Sequence, residues 1–322
     1  MKKIILYSLL VIVIAVTALI SYVKLALPDV GDPEDLKIEY TAERVERGKY
    51  LANAVAVCMD CHSTRDWNTF AAPLKEGTLG KGGEEFTQEF GFPGHYYAKN
   101  ITPYGVGKWT DGEIFRAITC GVSKDGKALF PVMPHPSYGK SDREDIYSLI
   151  AYIRSLTPIV NDLPEASSDF PMNIIINTIP KKAEFTTMPK KSDKLAYGKY
   201  LFTMASCTDC YTKQEKGAPI EGMELAGGFE FPLYTGGTVR SANITSDKAT
   251  GIGNWNEQAF VSRFKMYADS AYKPQSIARN QFNTVMPWLM YSRMEEEDLK
   301  AIYAYLQTVK AVNNEVVNFS VN

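Results

Sequence analysis

Five landmarks occur twice in the same order along this chain, which limits it to architectures built from two copies of one unit. Gly48-Lys49-Tyr50-Leu51 returns as Gly198-Lys199-Tyr200-Leu201, and each precedes a C-x-x-C by fewer than about ten residues. Asn100-Ile101-Thr102 returns as Asn243-Ile244-Thr245, and Gly105-Val106-Gly107-Lys108-Trp109 as Gly251-Ile252-Gly253-Asn254-Trp255. Val132-Met133-Pro134 matches Val285-Met286-Pro287, and the stretch Ile146 to Leu156 matches Leu299 to Val309. Offsets of about 145 to 155 residues kept through five landmarks indicate a duplication, with repeats too few and too long for a solenoid. A length of 322 residues accommodates two such domains, each able to bury a core.

Each copy reads as helical. Ser141 to Glu144 and Ser292 to Glu295 have the form of capping boxes, and Thr110 to Glu113 and Asn254 to Glu257 make similar starts after each Trp. The last helix of copy one lines Ile146, Ile150, Ile153 and Leu156 on one face; that of copy two lines Leu299, Ile302, Leu306 and Val309. Strand pairs are expected at most in the Gly-rich stretch 77–94 and around 229–238, so the predicted class is all-α. Between the copies, Pro158, Pro164, Pro171, Pro180 and Pro189 forbid a continuous helix and mark a connector over 158–191. Its apolar middle, Met172 to Ile179, is too hydrophobic for a free linker. It is expected to pack across both copies or to offer a partner surface.

Ile4 to Val23 is an uncharged apolar run of about 20 residues, enough to span roughly 30 Å of hydrocarbon as a helix. Lys2 and Lys3 precede it, so the positive-inside bias sends the remainder of the chain across the membrane. The run is longer than a signal-peptide core and lacks a small-x-small cleavage site at Lys24 to Pro28, which points to a retained anchor over 1–24. The charge balance, 35 basic against 37 acidic residues, gives no electrostatic basis for binding nucleic acid.

Five Cys and three His are present, and four of the Cys fall in two C-x-x-C pairs. Cys58-Met59-Asp60-Cys61-His62 is the attachment pattern of c-type haem, in which two thiols bind the porphyrin and the adjacent His reaches the iron. A thioredoxin-like centre wants a βαβ context, and half a zinc site wants a second close Cys/His pair; neither is evident. A sixth ligand of Met type would raise the potential. Met133, before Pro134, is the candidate, with Met286 before Pro287 at the equivalent place. Trp109 and Trp255 are read as packing the core or a haem edge. Cys120 is read as a small buried hydrophobe, and His95 and His135 as structural or solvent-facing, with His135 the better alternative ligand. Gly77 to Gly83 lacks the register of a phosphate loop and reads as flexible.

These residues resemble the multi-domain cytochromes c that serve as haem subunits of membrane-bound bacterial alcohol and gluconate dehydrogenases. The resemblance rests on Arg47 to Leu51 before C-x-x-C-H, on Asn100 to Pro103 with Gly105 to Thr110, and on Met133 to Tyr138 with Ser141 to Glu144. It implies tandem cytochrome c domains, at 41–157 and 192–311, and a non-enzymatic electron carrier rather than a catalyst. The implied donor is a respiratory dehydrogenase or quinol-oxidising complex, and the implied acceptor a terminal oxidase or soluble cytochrome, on the periplasmic side of the inner membrane. Copy two departs from the pattern: Cys207-Thr208-Asp209-Cys210 is followed by Tyr211 instead of His. Three readings stay open: a second haem on Cys207 and Cys210 with Met286 and Tyr211 or an open position; no haem and a disulfide; or a sequence variant. A di-haem peroxidase or oxidase using an open second iron is the alternative from another functional class.

Overall fold

Residues 1–215 and 217–321 are described by the structure, a computed structural model. After α1 (Lys2–Leu25), a first half carries α2 (Ala42–Tyr50), α3 (Cys58–Cys61), α4 (Pro103–Val106), α5 (Asp111–Cys120), α6 (His135–Tyr138) and α7 (Arg143–Ser155). A connector holding α8 (Met172–Ile175) leads to a second half. There α9 (Lys194–Met204), α10 (Cys207–Tyr211), α11 (Glu257–Lys265), α12 (Trp288–Tyr291) and α13 (Glu296–Leu306) follow in order.

Two helix crossings set the architecture, α2 on α7 and α9 on α13. Each is centred on a glycine. A Cβ at Gly48 would lie 1.8 Å from the Ser148 carbonyl oxygen, and one at Gly198 would lie 1.9 Å from that of Ala301. Only a residue without a side chain lets the two backbones approach so closely. The periodic faces read from the sequence close the contact: Ile146, Ile150 and Ile153, and likewise Leu299, Ile302 and Leu306, are buried. The apolar interiors of the two halves run together as one contiguous core.

The halves are locked by a reciprocal exchange. Tyr50 of α2 donates to Asp298 Oδ2 at 2.7 Å and accepts from the Glu295 amide at 3.0 Å. Tyr200 of α9 donates to Asp145 Oδ2 at 2.7 Å and accepts from the Asp142 amide at 3.1 Å. Each tyrosine thus caps the start of the other half's last helix. Both aspartates are buried and doubly held, Asp145 by a two-point contact with Arg47 at 2.9 Å and Asp298 by Tyr197 at 3.0 Å. Asn283 adds a second seam, accepting from the Ala71 amide at 3.0 Å and donating to the Trp67 carbonyl at 3.1 Å.

The expected all-α class does not hold: 38% of the chain is helical and 9% is strand, an α/β mixture with three small sheets among the described residues. The first sheet pairs β1 (Glu85–Phe86), β2 (Gly94–Tyr97) and β3 (Ser167–Ser168), all antiparallel. A two-stranded hairpin joins β4 (Gln214–Glu215) to β5 (Ala218–Pro219). The third sheet pairs β6 (Glu230–Pro232), β7 (Thr238–Arg240) and β8 (Phe319–Ser320). Two hairpins lie where short pairs were thought possible. What the sequence did not indicate is that each is completed by a distant segment, β3 from the connector and β8 from the C-terminal tail. Strands of two to four residues carry too few positions for an alternation to be read.

Helix starts also differ in detail. The Thr110–Glu113 capping box is present. α7, however, is capped by Asp142, which accepts from the Glu144 amide at 2.9 Å, because Ser141 is consumed by the preceding turn. α13 has no side-chain cap of its own, Ser292 being the end of α12; Tyr50 supplies the partner instead. α11 is capped by Asn256 rather than Asn254. The connector packs on the first half through β3, the Asn100 side chain on the Ile159 carbonyl, and Phe185 against Phe115. α1 is the one helix among the described residues long and apolar enough to cross a membrane.

Gly198→Ala forces a methyl group into the backbone of α13 and is expected to lower stability by about 3 kcal/mol, seen as a fall in Tm. Tyr200→Phe keeps the ring but strips one partner from buried Asp145, with an expected cost of about 2 kcal/mol in denaturant unfolding.

Candidate functional site

The C-x-x-C segments hang from the ends of the crossed helices. A π-helical turn, Leu51–Val55, extends α2, and Val57 then takes φ +44°, a left-handed conformation rare for a β-branched residue. That reversal starts α3, the single turn Cys58–Cys61. Ser206 does the same before α10, with φ +52°. Cys58 and Cys61 sit half-buried as free thiols, and burial pushes each up to about 12.

His62 follows with its amide donating to the Cys58 carbonyl at 3.0 Å. Its Nδ1 lies 2.6 Å from the Lys99 carbonyl oxygen. A carbonyl only accepts, so Nδ1 carries the proton and the Nε2 lone pair is left free, the tautomer a metal-binding imidazole requires. Burial lowers the imidazole pKa and the Lys99 contact opposes that shift. Lys99 is held in place by the loop after it, where Asn100 Oδ1 accepts from the Thr102 amide at 3.0 Å and hydroxyl at 2.7 Å. Gly82 fixes the loop from below, donating to the His62 carbonyl at 2.9 Å; a Cβ there would meet the Ala98 carbonyl at 2.5 Å. The Gly-rich stretch expected to be flexible is therefore pinned beneath His62.

The Met-Pro segments share one backbone turn. The His135 amide donates to the Met133 carbonyl at 2.7 Å around Pro134, φ −77° and ψ +56°, an inverse γ-turn. The Trp288 amide does the same to Met286 at 2.8 Å around Pro287, φ −79° and ψ +61°. Each turn is tied back to its C-x-x-C by a buried tyrosine five residues on. Tyr138 donates to the Ala56 carbonyl at 3.1 Å and Tyr291 to that of Ala205 at 3.0 Å. These tyrosines had no assigned role from sequence, although Tyr138 closes the M-P-x-P-S-Y motif. A second group missed by sequence is Arg65, buried between Asp60 at 2.6 Å and Glu84 at 2.7 Å, which braces the turn below Cys61.

The second half repeats the scaffold but not the donor set. Asn243 Oδ1 holds Thr245 as Asn100 holds Thr102, at 3.0 and 2.7 Å. The Gly227 amide donates to the Tyr211 carbonyl at 2.8 Å, as Gly82 does to His62. The Tyr211 side chain, longer than a histidine, reaches across instead and its hydroxyl donates to Met286 Sδ at 3.2 Å. Burial, with Cys207 and Cys210 close by, raises the pKa of its phenol. Burial likewise raises the Cys207 thiol, and pushes that of Cys210 up to about 12.

The remaining candidates lie apart. His95 is on β2 at the surface, 3.2 Å from Glu85 Oε2. His135 is 1% exposed, not solvent-facing; it packs on Gly121, its Nε2 has no hydrogen-bond partner, and burial pushes its pKa down to about 4. Cys120 is buried beside Thr119 Oγ1. Trp109 packs on the core, whereas Trp255 is 39% exposed. Among the described residues no three His, Cys, Asp or Glu side chains converge as a metal site, so the Cys pairs lack the partners of a zinc centre.

Residues 195–310 match the cytochrome c family profile. Over 283 residues, 83% of this chain, the sequence is 26% identical to the cytochrome c subunit of the quinone alcohol dehydrogenase of Gluconacetobacter polyoxogenes. It is 28% identical over 285 residues to the gluconate 2-dehydrogenase cytochrome c subunit of Pantoea cypripedii. The chain spans 56% and 60% of those two relatives. A diheme cytochrome c-type protein of Cereibacter sphaeroides is 28% identical over 269 residues, 79% of this chain and 82% of the relative. A cytochrome c domain implies haem c as its cofactor; the matched residues lie in the second half, whereas the complete C-x-x-C-H, with His62 Nε2 free for a metal, lies in the first. Residues 195–310 thus carry the cytochrome c signature, and the chain as a whole is similar to the cytochrome c subunits of bacterial quinone alcohol and gluconate dehydrogenases.

Proposed function

We propose that this chain is a membrane-anchored electron carrier with an anchor at 1–24, cytochrome c domains at 41–157 and 192–311, and a connector at 158–191. Cys58 and Cys61 would hold haem c in the first domain, and His62 and Met133 would ligate its iron. The observation that carries this reading is the Nδ1 contact of His62 with the Lys99 carbonyl, which fixes the ring and leaves Nε2 for iron. The bound haem supplies reversible one-electron chemistry at iron; the chain supplies ligation, burial and a docking surface. Met133, on its proline turn, furnishes a soft thioether that favours the reduced metal and so a high potential. Tyr138 holds that turn against the attachment helix. Arg65, paired with both Asp60 and Glu84, offsets one of their two negative charges beside the site.

The second domain, although it is the part that matches the cytochrome c profile, is read as haem-free because Tyr211 stands where the attachment pattern has its histidine. Tyr211 Oη and Met286 Sδ lie 3.2 Å apart and are hydrogen-bonded to each other. The donor is a dehydrogenase, by analogy with the relatives, and the acceptor a terminal oxidase or soluble cytochrome. Lys2 and Lys3 before the apolar run favour a periplasmic location for the domains.

The membrane-extracted chain is expected to carry one haem by intact mass and by pyridine haemochrome assay, and Cys58→Ser with Cys61→Ser none. Tyr211→His, which restores the attachment pattern and shortens the side chain, is expected to bring the count to two. Two haems on the unaltered chain would overturn the single-haem assignment. Met133→Ala is expected to abolish the Met-to-iron charge-transfer band and lower the midpoint potential.

A further inference from the structure

The apolar middle of the connector is not spent on either half's core. α8 and the 3-10 turn that follows it, Ile176–Thr178, pack against the C-terminal end of α1. The contact is specific: Asn177 Nδ2 donates to the Val23 carbonyl at 3.2 Å, and Val23 is the single buried residue of α1, at 8% exposure. Val23 is also the last residue of the uncharged run, followed at once by Lys24. A bilayer that takes up Ile4 to Val23 therefore has its boundary at the level of this contact.

At that level the connector turns apolar groups outward. Phe170 is 79% exposed and Ile175 43% exposed. Exposed Lys181 and Lys182 follow immediately after Pro180. Aromatic and aliphatic groups beside lysines are the composition of a segment lying in the headgroup region. Asp169, next to Phe170 in sequence, accepts from Gln88 Nε2 at 2.9 Å. The segment is also rigidly fixed to the first half. β3 pairs with β2 just before it, the Asp169 amide donates to the Pro93 carbonyl at 3.0 Å, and the Asn173 amide donates to the Asp169 carbonyl at 2.9 Å.

We propose that Phe170 and Ile175 insert into the interfacial layer of the same membrane that takes up α1, making the connector a second, in-plane membrane contact. The occupant is lipid because the contact is continuous with the end of α1. The inference rests on the anchor reading of α1. Its consequence is that the first half is held at a fixed orientation to the membrane by two points, instead of swinging on a single tether.

The full chain in liposomes of phosphatidylethanolamine and phosphatidylglycerol, doped with a phospholipid bearing a diazirine on its acyl chain, tests this by photolabelling and tryptic mapping. Adducts are expected in α1 and again at residues 170–176. Adducts in α1 without any at 170–176 would overturn the proposal while leaving the anchor intact; this is also the outcome if a partner protein is the true occupant. No adducts in α1 would overturn the anchor reading and the proposal with it. Phe170→Asp with Ile175→Asp is expected to lose the connector adducts and keep those of α1. Retained connector labelling in that variant would contradict the assignment of those two side chains.

Discussion

Everything in the site depends on two helices crossing at a residue without a side chain. Gly48 lets α2 press onto the Ser148 backbone of α7, and Gly198 lets α9 press onto Ala301 of α13. The C-x-x-C turn follows the first helix of each pair, and the Met-Pro turn precedes the last. Bringing the helices together therefore brings the C-x-x-C and Met-Pro segments together, and Tyr138 or Tyr291 closes the remaining gap. Two residues beyond each glycine, Tyr50 and Tyr200 reach into the opposite half and cap its last helix. The crossing that builds one half thus also positions the contact that joins it to the other.

That shared scaffold explains how one half can lack the histidine of the other and keep its shape. The Asn–Thr loop, the left-handed residue before the cysteines, the inverse γ-turn at Met-Pro and the closing tyrosine are all duplicated. A single longer side chain then changes what the enclosed space holds. In the first half His62 leans on the Lys99 carbonyl and presents a nitrogen; in the second Tyr211 spends its hydroxyl on Met286. The second half stabilises the first through buried Asp145 and Asp298 whether or not it binds iron.

Much of this was legible in the sequence, because the relevant signals are local or repeated. The C-x-x-C-H spacing, the Met-Pro recurrence and the 3.6-residue faces of α7 and α13 each lie within a short window. The features that escaped are those decided by distant partners. Two-residue strands exist only because β3 and β8 arrive from elsewhere to complete them. The cap of α13 is a tyrosine some 245 residues away, so no motif around Ser292 could reveal it. Arg65 looks like an ordinary surface cation until Asp60 and Glu84 fold around it, and Gly82 looks mobile until its amide is seen on the His62 carbonyl. The Tyr211–Met286 contact depends on side-chain length acting across a three-dimensional gap, which residue identity alone leaves open.

The central claim is that one iron sits in a scaffold built twice. Anomalous scattering from crystals of the haem-loaded chain, recorded at the iron edge, tests it most directly. The account predicts one iron peak per chain, between His62 Nε2 and Met133 Sδ, with Tyr211 Oη still in contact with Met286 Sδ. A second peak between Tyr211 and Met286, or an iron in the first half bound by a residue other than Met133 opposite His62, would contradict it.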